Sequence, residues 1–483
     1  MDATASGPLS ADFLSRNDVR RALQEHDFAA VFALIKKWCG LSQNRIASAC
    51  QLTPGKVSMI IRGQHQVTSM EVVRRIADGL RIPGSMLGLA PRPWESNQPA
   101  PAPAERLGEC PAAEDVPWRP DATVTLAGTL TRSDLVLDRR GASRALAAAA
   151  AAVTGTALLD PLEPWLQPAA AVARSGRVGR LGSRDVQQLE QTAQAFRSWD
   201  HQHGGGLRRK AVLGQLAEVA AALDENQTNA VESRLYSVMA HLAGTAATMA
   251  WDSGYQRRAQ DYYRLALRSA HAGDDVVFGA NVLAGMARQM LYHQKAHDAL
   301  ELVRLAQEGS RRVAGPRVRA MLHTREAWAL AALGRAAAFR RATDQAREAL
   351  ADAVGDDEPY WIAYFGEAEL AGVTGGRLLD LARQDHRHAD KAAEHIRPAL
   401  ARRGPEAARS YALDRIGLAE CHFLTGDVRS AAEETRHAME AAGDTTSARV
   451  REQLGGLYSC TVGQSTARGV RDVRDRLREL LAN

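Results

Sequence analysis

The stretch LSQNRIASACQLTPGKVSMIIRG, residues 41–63, carries the start and stop signals of two short helices joined by a tight turn. Ser42 is placed to cap the first helix. Thr53 is placed to cap the second, with Pro54 at its first position, where the missing N–H costs nothing. Gly63 follows Arg62 and can adopt the left-handed conformation that ends a helix. The pattern predicts a helix-turn-helix unit.

Apolar residues recur at helical spacing through this stretch and on both sides of it. Residues 28–38 predict a preceding helix, and Thr68 with Glu71 predicts a capping box for a following helix that extends to Leu80. The residues that we expect to face the shared core of the two central helices are Ile46, Ala47, Cys50, Leu52, Val57, Ile60 and Ile61.

Positive charge is concentrated at the same end of the chain. Residues 1–90 contain eleven Lys and Arg against seven Asp and Glu, and between Lys36 and Arg75 there are seven basic residues and one acidic residue, Glu71. A compact basic patch on an otherwise balanced protein is typical of a nucleic-acid-binding module. The alternative is a solvated cationic face that binds nothing.

This run resembles the XRE family of phage-repressor-type helix-turn-helix domains, which implies DNA binding with the second helix in the major groove. It departs from the family pattern at three places. Gln51 stands where Gly is usual, so a non-glycine residue is expected at positive φ. Arg45 replaces the usual Glu of a capping box, and Pro54-Gly55 replace a polar pair that often touches bases, so those contacts do not carry over.

The side chains left exposed on the second helix and just beyond it are the candidate DNA contacts. Lysine and arginine can reach phosphates or guanine edges, and small or apolar side chains can touch bases or thymine methyl groups. The resemblance adds a phosphate contact at the start of the first helix. The predicted DNA-binding residues are Gln43, Lys56, Ser58, Met59, Arg62, Gln64 and His65.

Beyond this domain the composition changes twice. Residues 91–120 hold eight of the eighteen prolines, which predicts a semi-extended linker, and an Ala-rich run follows at 145–159. From residue 183 the pattern is helical to the end. We therefore divide the chain into an N-terminal arm at 1–27, a helix-turn-helix domain at 28–90, a Pro-rich linker with the Ala-rich segment at 91–182, and a helical domain at 183–483.

Small residues repeat in the helical domain at a spacing of roughly 35 to 45 residues, which is typical of stacked helical hairpins. Ala247, Gly254, Ala259 and Ala266 show the offsets, and Leu418-Ala419, Gly426, Ala431 and Ala438 repeat them. The pattern resembles the tetratricopeptide repeat (TPR). The predicted fold is all-α: a lambda-repressor-like helix-turn-helix domain joined by a Pro-rich linker to a TPR-like helical solenoid.

In such an array the first helix of each hairpin lines the inner groove. The residues six before and one after its small packing position are expected to point into that groove, where they can bind a peptide or a small-molecule effector. The candidates are His241, Thr248, Asn281, Arg288, Met321, Trp328 and, from a weaker repeat, Arg377. The alternative is a groove that packs against another part of the protein.

The sequence carries no motif for other chemistry. There is no G-x-S-x-G elbow and no phosphate-binding loop, and the five cysteines are widely scattered. We expect a cytoplasmic protein that is not an enzyme, with no cofactor, no metal and no membrane segment.

The whole plan resembles XRE regulators with TPR-like C-terminal domains, common in high-GC bacteria, where they tend to control differentiation or secondary metabolism. The resemblance implies a transcriptional regulator that answers a small signal, and pairing on a near-palindromic double-stranded operator suggests a homodimer. The alternative function is a TPR scaffold or adaptor that binds another protein and uses the N-terminal domain for docking.

Overall fold

The computed structural model describes residues 9–65, 67, 70–87, 89, 92, 94–95, 116–136, 152–168, 181–203, 209–353, 358–404, 407–443, 445, 447–462 and 468–482. Within these ranges the regular structure is helical and no β-strand is present. The predicted all-α class, with an N-terminal helix-turn-helix domain followed by a helical solenoid, is confirmed.

Seven short helices form the N-terminal domain. They share one core, which also includes Leu9 and Phe13 from the segment before residue 28. The helices are α1 (Ala11–Ser15), α2 (Asn17–Gln24), α3 (Phe28–Cys39), α4 (Gln43–Ala49), α5 (Pro54–Ile61), α6 (Met70–Leu80) and α7 (Gly84–Leu87).

The start signals in residues 41–63 act as expected. The Ser42 hydroxyl accepts a hydrogen bond from the Arg45 N–H at 3.3 Å, and the Thr53 hydroxyl accepts one from the Lys56 N–H at 3.3 Å. Gln51 adopts φ +53° in the turn, the strained conformation that its position predicted. Thr68 of the expected capping box lies outside the described residues.

The end of α6 packs very closely on the end of α4. A Cβ atom added at Gly79 would lie 1.9 Å from the carbonyl oxygen of Ala49. Only glycine allows this approach, so Gly79 fixes how the helix-turn-helix pair is held against α6.

A short stretch of chain precedes the helix pairs and packs on them. Residues 120–136, within the segment assigned from sequence to the linker and the Ala-rich run, form helix α8 (Pro120–Val136) against the later helices. Helix α9 (Thr156–Leu159) and a 3-10 helix (Asp160–Leu166) follow. Trp165 fills the space left by Gly279 and Gly309, where any Cβ would collide with its indole ring. Residues 145–151 of the Ala-rich run lie outside the described residues, and residues 152–159 of it are described.

From residue 183 onward the chain forms antiparallel helices that stack side by side. After α10 (Ser183–His203) and α11 (Arg209–Asp224), each hairpin has an inner helix followed by an outer helix. The hairpins are α12 (Asn229–Asp252) with α13 (Gln256–Ala272), α14 (Val276–Tyr292) with α15 (Ala296–Ser310), α16 (Pro316–Ala332) with α17 (Ala336–Ala351), α18 (Glu367–Ala382) with α19 (Ala389–Arg402), α20 (Ala408–Thr425) with α21 (Val428–Gly443), and α22 (Ala448–Thr461) with α23 (Arg468–Ala482).

Each inner helix packs on the next inner helix as well as on its own outer partner. The small residues that revealed the repeat lie buried at these contacts, among them Ala247, Ala259 and Ala431. Stacking gives a single inner layer of helices with a large core up to α20 and a second, smaller core among α20 to α23. No helix in the described ranges is long and apolar enough to cross a membrane.

Candidate functional site

Helix α5 presents one face to the core and one to solvent. Val57 and Ile60 are buried, which fixes the rotation of the helix about its axis. Met59 is 44% exposed, an unusual position for a large apolar side chain, and Arg62 is exposed at the last turn. The helix therefore carries an outward surface that is not used for folding.

The predicted DNA-binding residues lie on or beside this surface. Gln43, Lys56 and Ser58 are half-buried, and Arg62, Gln64 and His65 are exposed. Among the described residues none of these side chains has a hydrogen-bond or ion-pair partner within the protein. Their donors are free to meet an external acceptor such as a phosphate or a base edge.

One further cation near α5 was not among the predicted contacts. Arg45 occupies the first turn of α4 two residues after Gln43; its side chain is exposed and has no partner in the described part of the chain. The sequence analysis treated Arg45 only as a departure from a capping box. Its charge and its position beside the Gln43 phosphate candidate are the signals that could have identified it.

The turn that orients α5 is braced from α6. Arg75 donates a hydrogen bond from Nη1 to the carbonyl oxygen of Gln51 at 3.3 Å, and its other nitrogen lies 3.6 Å from Glu71. The carbonyl of the strained residue is thus satisfied by a side chain, which stabilises the left-handed turn between the two helices.

A second candidate site lies inside the helical domain. The inner helices enclose a cavity of about 550 Å³ whose wall includes residues from α12, α14, α16, α18 and α20. That volume falls in the range of small-molecule sites. All but one of the effector candidates line the cavity: Thr248, Asn281, Arg288, Met321, Trp328 and Arg377.

His241 is the exception and does not line the cavity. Its ring stacks on Phe278 with a centroid separation of 3.9 Å, and its Nδ1 lies 2.8 Å from the Tyr360 hydroxyl. Burial lowers the pKa of His241, although Asp275 at 3.5 Å opposes this shift. Aromatic stacking therefore holds His241 behind the cavity. Phe278 lines the cavity where the spacing rule had placed His241.

A buried contact joins the N-terminal domain to the helical domain. Arg74 on α6 reaches Glu301 on α15 at 2.5 Å and Glu163 of the 3-10 helix at 2.9 Å. Glu301 is fully buried, while Glu163 is largely exposed. The N-terminal domain thus docks on an outer helix through an ion pair between residues 227 positions apart in sequence.

A histidine of the N-terminal domain also reaches α15, where Nη1 of Arg304 lies 3.3 Å from Nε2 of His26. His26 Nε2 is 2.6 Å from the carbonyl oxygen of Leu87, and since a carbonyl only accepts, this shorter contact is a hydrogen bond in the tautomer that carries its hydrogen on Nε2. Burial and the positive charges of Arg304 and Arg335 lower the pKa of His26 to about 3, although Glu326 opposes them. His26 is therefore neutral near pH 7, wedged between the two domains.

Comparison with known proteins supports a helix-turn-helix domain at the N-terminal end of the chain. Residues 27–89 match a family model described as a helix-turn-helix domain. Searches of curated proteins and of solved structures gave no significant match. The match includes α3 to α7 and every residue of the α5 surface, so the helix-turn-helix assignment holds.

Proposed function

We propose that the protein is a sequence-specific DNA-binding transcriptional regulator and not an enzyme. The observation that carries the proposal is the outward face of α5, whose polar and basic side chains have no partner among the described residues. Lys56 and Arg62 supply charge for phosphates or guanine, and Met59 supplies an apolar contact for a thymine methyl group.

In this proposal the helical domain mediates dimerisation and binds an effector. We infer a homodimer that binds a near-palindromic operator, because one small domain reads only a short half-site. The cavity offers a place for a small effector or a short peptide. This arrangement follows the XRE regulators with TPR-like repeats that the sequence resembles, and it implies a cytoplasmic protein.

The test is a mobility-shift titration of the full chain on DNA upstream of its own gene, at fixed salt. We expect a discrete complex with the wild type and a loss of about thirtyfold or more in the variant Lys56→Ala/Arg62→Ala, from about 1–3 kcal/mol per contact. The matched control is Lys391→Ala, an exposed lysine on the outer helix α19. Unchanged affinity in the double variant would favour the alternative function, a scaffold or adaptor that binds another protein.

A further inference from the structure

The charges that line the cavity are divided unevenly. On the side of α18 and α20, the arginines form ion pairs with carboxylates. Arg403 lies 2.8 Å from Glu369 and 2.6 Å from Asp414, and Arg383 lies 2.6 Å from Glu420. These pairs neutralise each other and also hold the helices together. A ligand entering this side meets charges that are already satisfied.

On the side of α14 and α16 two arginines lack such partners. Arg288 and Arg325 both line the cavity, and neither has a hydrogen bond or an ion pair with any described residue. Arg325 is only 6% exposed, and the buried Nε of Arg288 is without an acceptor. The Arg288 guanidinium does face the Trp251 ring, at 5.0 Å from its centroid, but an aromatic ring does not replace a carboxylate.

The remaining charges nearby do not balance this pair. Arg449 also lines the cavity, and its own partner is Asp252 at 3.1 Å. Burial lowers the pKa of Arg288, and the charges of Arg449 and Arg325 lower it further, so the guanidinium groups repel one another. The carboxylates of Asp200 and Glu452 line the same cavity but form no ion pair with Arg288 or Arg325.

Enclosed cations without a counter-charge cost free energy, and this cost disappears when an anion binds. The guanidinium fork matches the two oxygens of a carboxylate or a phosphate. The same wall carries the aromatic rings of Tyr263, Tyr292 and Trp328, and the Arg377 guanidinium lies over the Trp328 ring at 3.7 Å from its centroid. The Asn281 amide, which has no hydrogen bond to a described residue, adds a polar contact at the same wall.

We propose that Arg288 and Arg325 form an anion-binding site in this cavity, and that its ligand is a small organic anion with one carboxylate or phosphate group on an aromatic or apolar body. The proposal rests on the proposed function, since it names the chemistry of the effector. The charged group contacts the two arginines, and the body lies against Tyr292.

The experiment uses the full chain in Tris chloride and follows the melting temperature and calorimetric binding. The probes are inorganic phosphate, phenyl phosphate and 3-phenylpropionate, with uncharged 3-phenylpropanamide for comparison. We expect an anion to raise the melting temperature by about 3 °C or more at millimolar concentration, and the amide to leave it unchanged. A larger shift with phenyl phosphate identifies a phosphate ligand, and a larger shift with 3-phenylpropionate identifies a carboxylate.

The variant Arg288→Gln/Arg325→Gln should lose this shift and bind the better probe at least tenfold more weakly. The matched control is Arg340→Gln/Arg347→Gln, which removes two exposed arginines from the outer helix α17. No shift with any anion, an equal shift with the amide, or a shift that survives in the Arg288→Gln/Arg325→Gln variant overturns the proposal.

A second measurement separates a ligand site from a structural role. Without anion, Arg288→Gln should melt at the wild-type temperature or above it, because it removes an uncompensated charge. A fall of several degrees would mean that Arg288 holds the fold, and would overturn the proposal. Mobility shift of the wild type keeps the two proposals apart: a wild-type protein that binds its DNA but shows no anion-induced shift in melting temperature rejects only the anion site.

Discussion

Two groups of cations without partners in the described residues, one on α5 and one in the cavity, differ in where they lie. On α5 the half-buried Lys56 and the exposed Arg62 lie on the outward face, where water and salt reach and screen them. In the cavity Arg288 and Arg325 are enclosed by the inner helices. The first pair has little effect on the stability of the protein without ligand, whereas the second pair lowers that stability.

This difference indicates how each group binds. An exposed cation gains affinity mainly by releasing counterions from DNA, so the strength of binding depends on salt. An enclosed cation gains affinity by pairing in a medium that screens poorly, so binding depends on the exact charge and shape of the ligand. The outward surface therefore suits a long polyanion, and the cavity suits a small anion.

The largest effect is expected at the junction between the two regions. Glu301→Gln leaves Arg74 without its buried counter-charge, which should lower the free energy of unfolding by about 3 kcal/mol. Its control is Glu163→Gln, which removes the exposed partner of the same arginine and should cost less than about 1 kcal/mol. Urea denaturation at pH 7.5 measures both. Equal small losses would show that the domains are not held together by this pair.

The second prediction concerns salt. The affinity of the wild type for its operator should fall steeply as salt rises, and either Lys56→Ala or Arg62→Ala should reduce the slope of log K against log salt by about 1 if its cation contacts a phosphate. If the side chain contacts a guanine edge instead, its alanine variant should lose about 1–3 kcal/mol of binding free energy at that base pair. The variant should still discriminate at the other base pairs. Titration at four salt concentrations separates the two roles. An unchanged slope together with unchanged base preference would remove that residue from the interface.

The third prediction concerns pH at the junction. His26 has a folded-state pKa of about 3 against about 6.5 when unfolded, so between these values the unfolded chain binds the additional proton. Stability should therefore fall as the pH falls through 6.5, by about 2 kcal/mol at pH 5. Asn tolerates the φ of +54° at this position, and His26→Asn should remove this part of the pH dependence.

Urea denaturation of wild type and His26→Asn at pH 7.5 and pH 5 provides the measurement. The difference between the two proteins isolates His26 from Asp200 and Asp414, whose pKa values burial raises to about 6 and about 7. Parallel losses of stability in the two proteins would contradict a neutral, buried His26.

Local signals in the sequence predicted local structure well. Ser42 and Thr53 cap their helices, and Gln51 takes positive φ, because caps and turns depend on residues only a few positions apart. The spacing rule also brought six groove candidates to one cavity, since inner helices repeat with the same rotation. Arg325 was missed although it lies four residues after Met321 and three before Trp328, on the same helical face.

Contacts across long separations could not be predicted. Nothing local links Arg74 to Glu301, because that pair forms only when α6 lies on α15. His241 satisfied the spacing rule, yet it contacts the rings of Phe278 and Tyr360 and does not line the cavity. Helical period fixes the direction of a side chain, but neighbours from other helices determine whether it reaches the cavity.

The smallest effect is expected at Gln43, which tests the difference between charge and position within the outward surface. Gln43 is the first residue of α4, and its amide is neutral, so a contact with phosphate adds a hydrogen bond but releases no counterion. Gln43→Ala should weaken DNA binding by about 0.5–1 kcal/mol, equally for operator and random DNA, and leave the salt slope unchanged. Arg45→Ala, two residues away and cationic, should lower that slope. Competition mobility shifts at two salt concentrations measure both. A selective loss on the operator alone would instead assign Gln43 to a base, and the phosphate role of this helix end would then belong to Arg45.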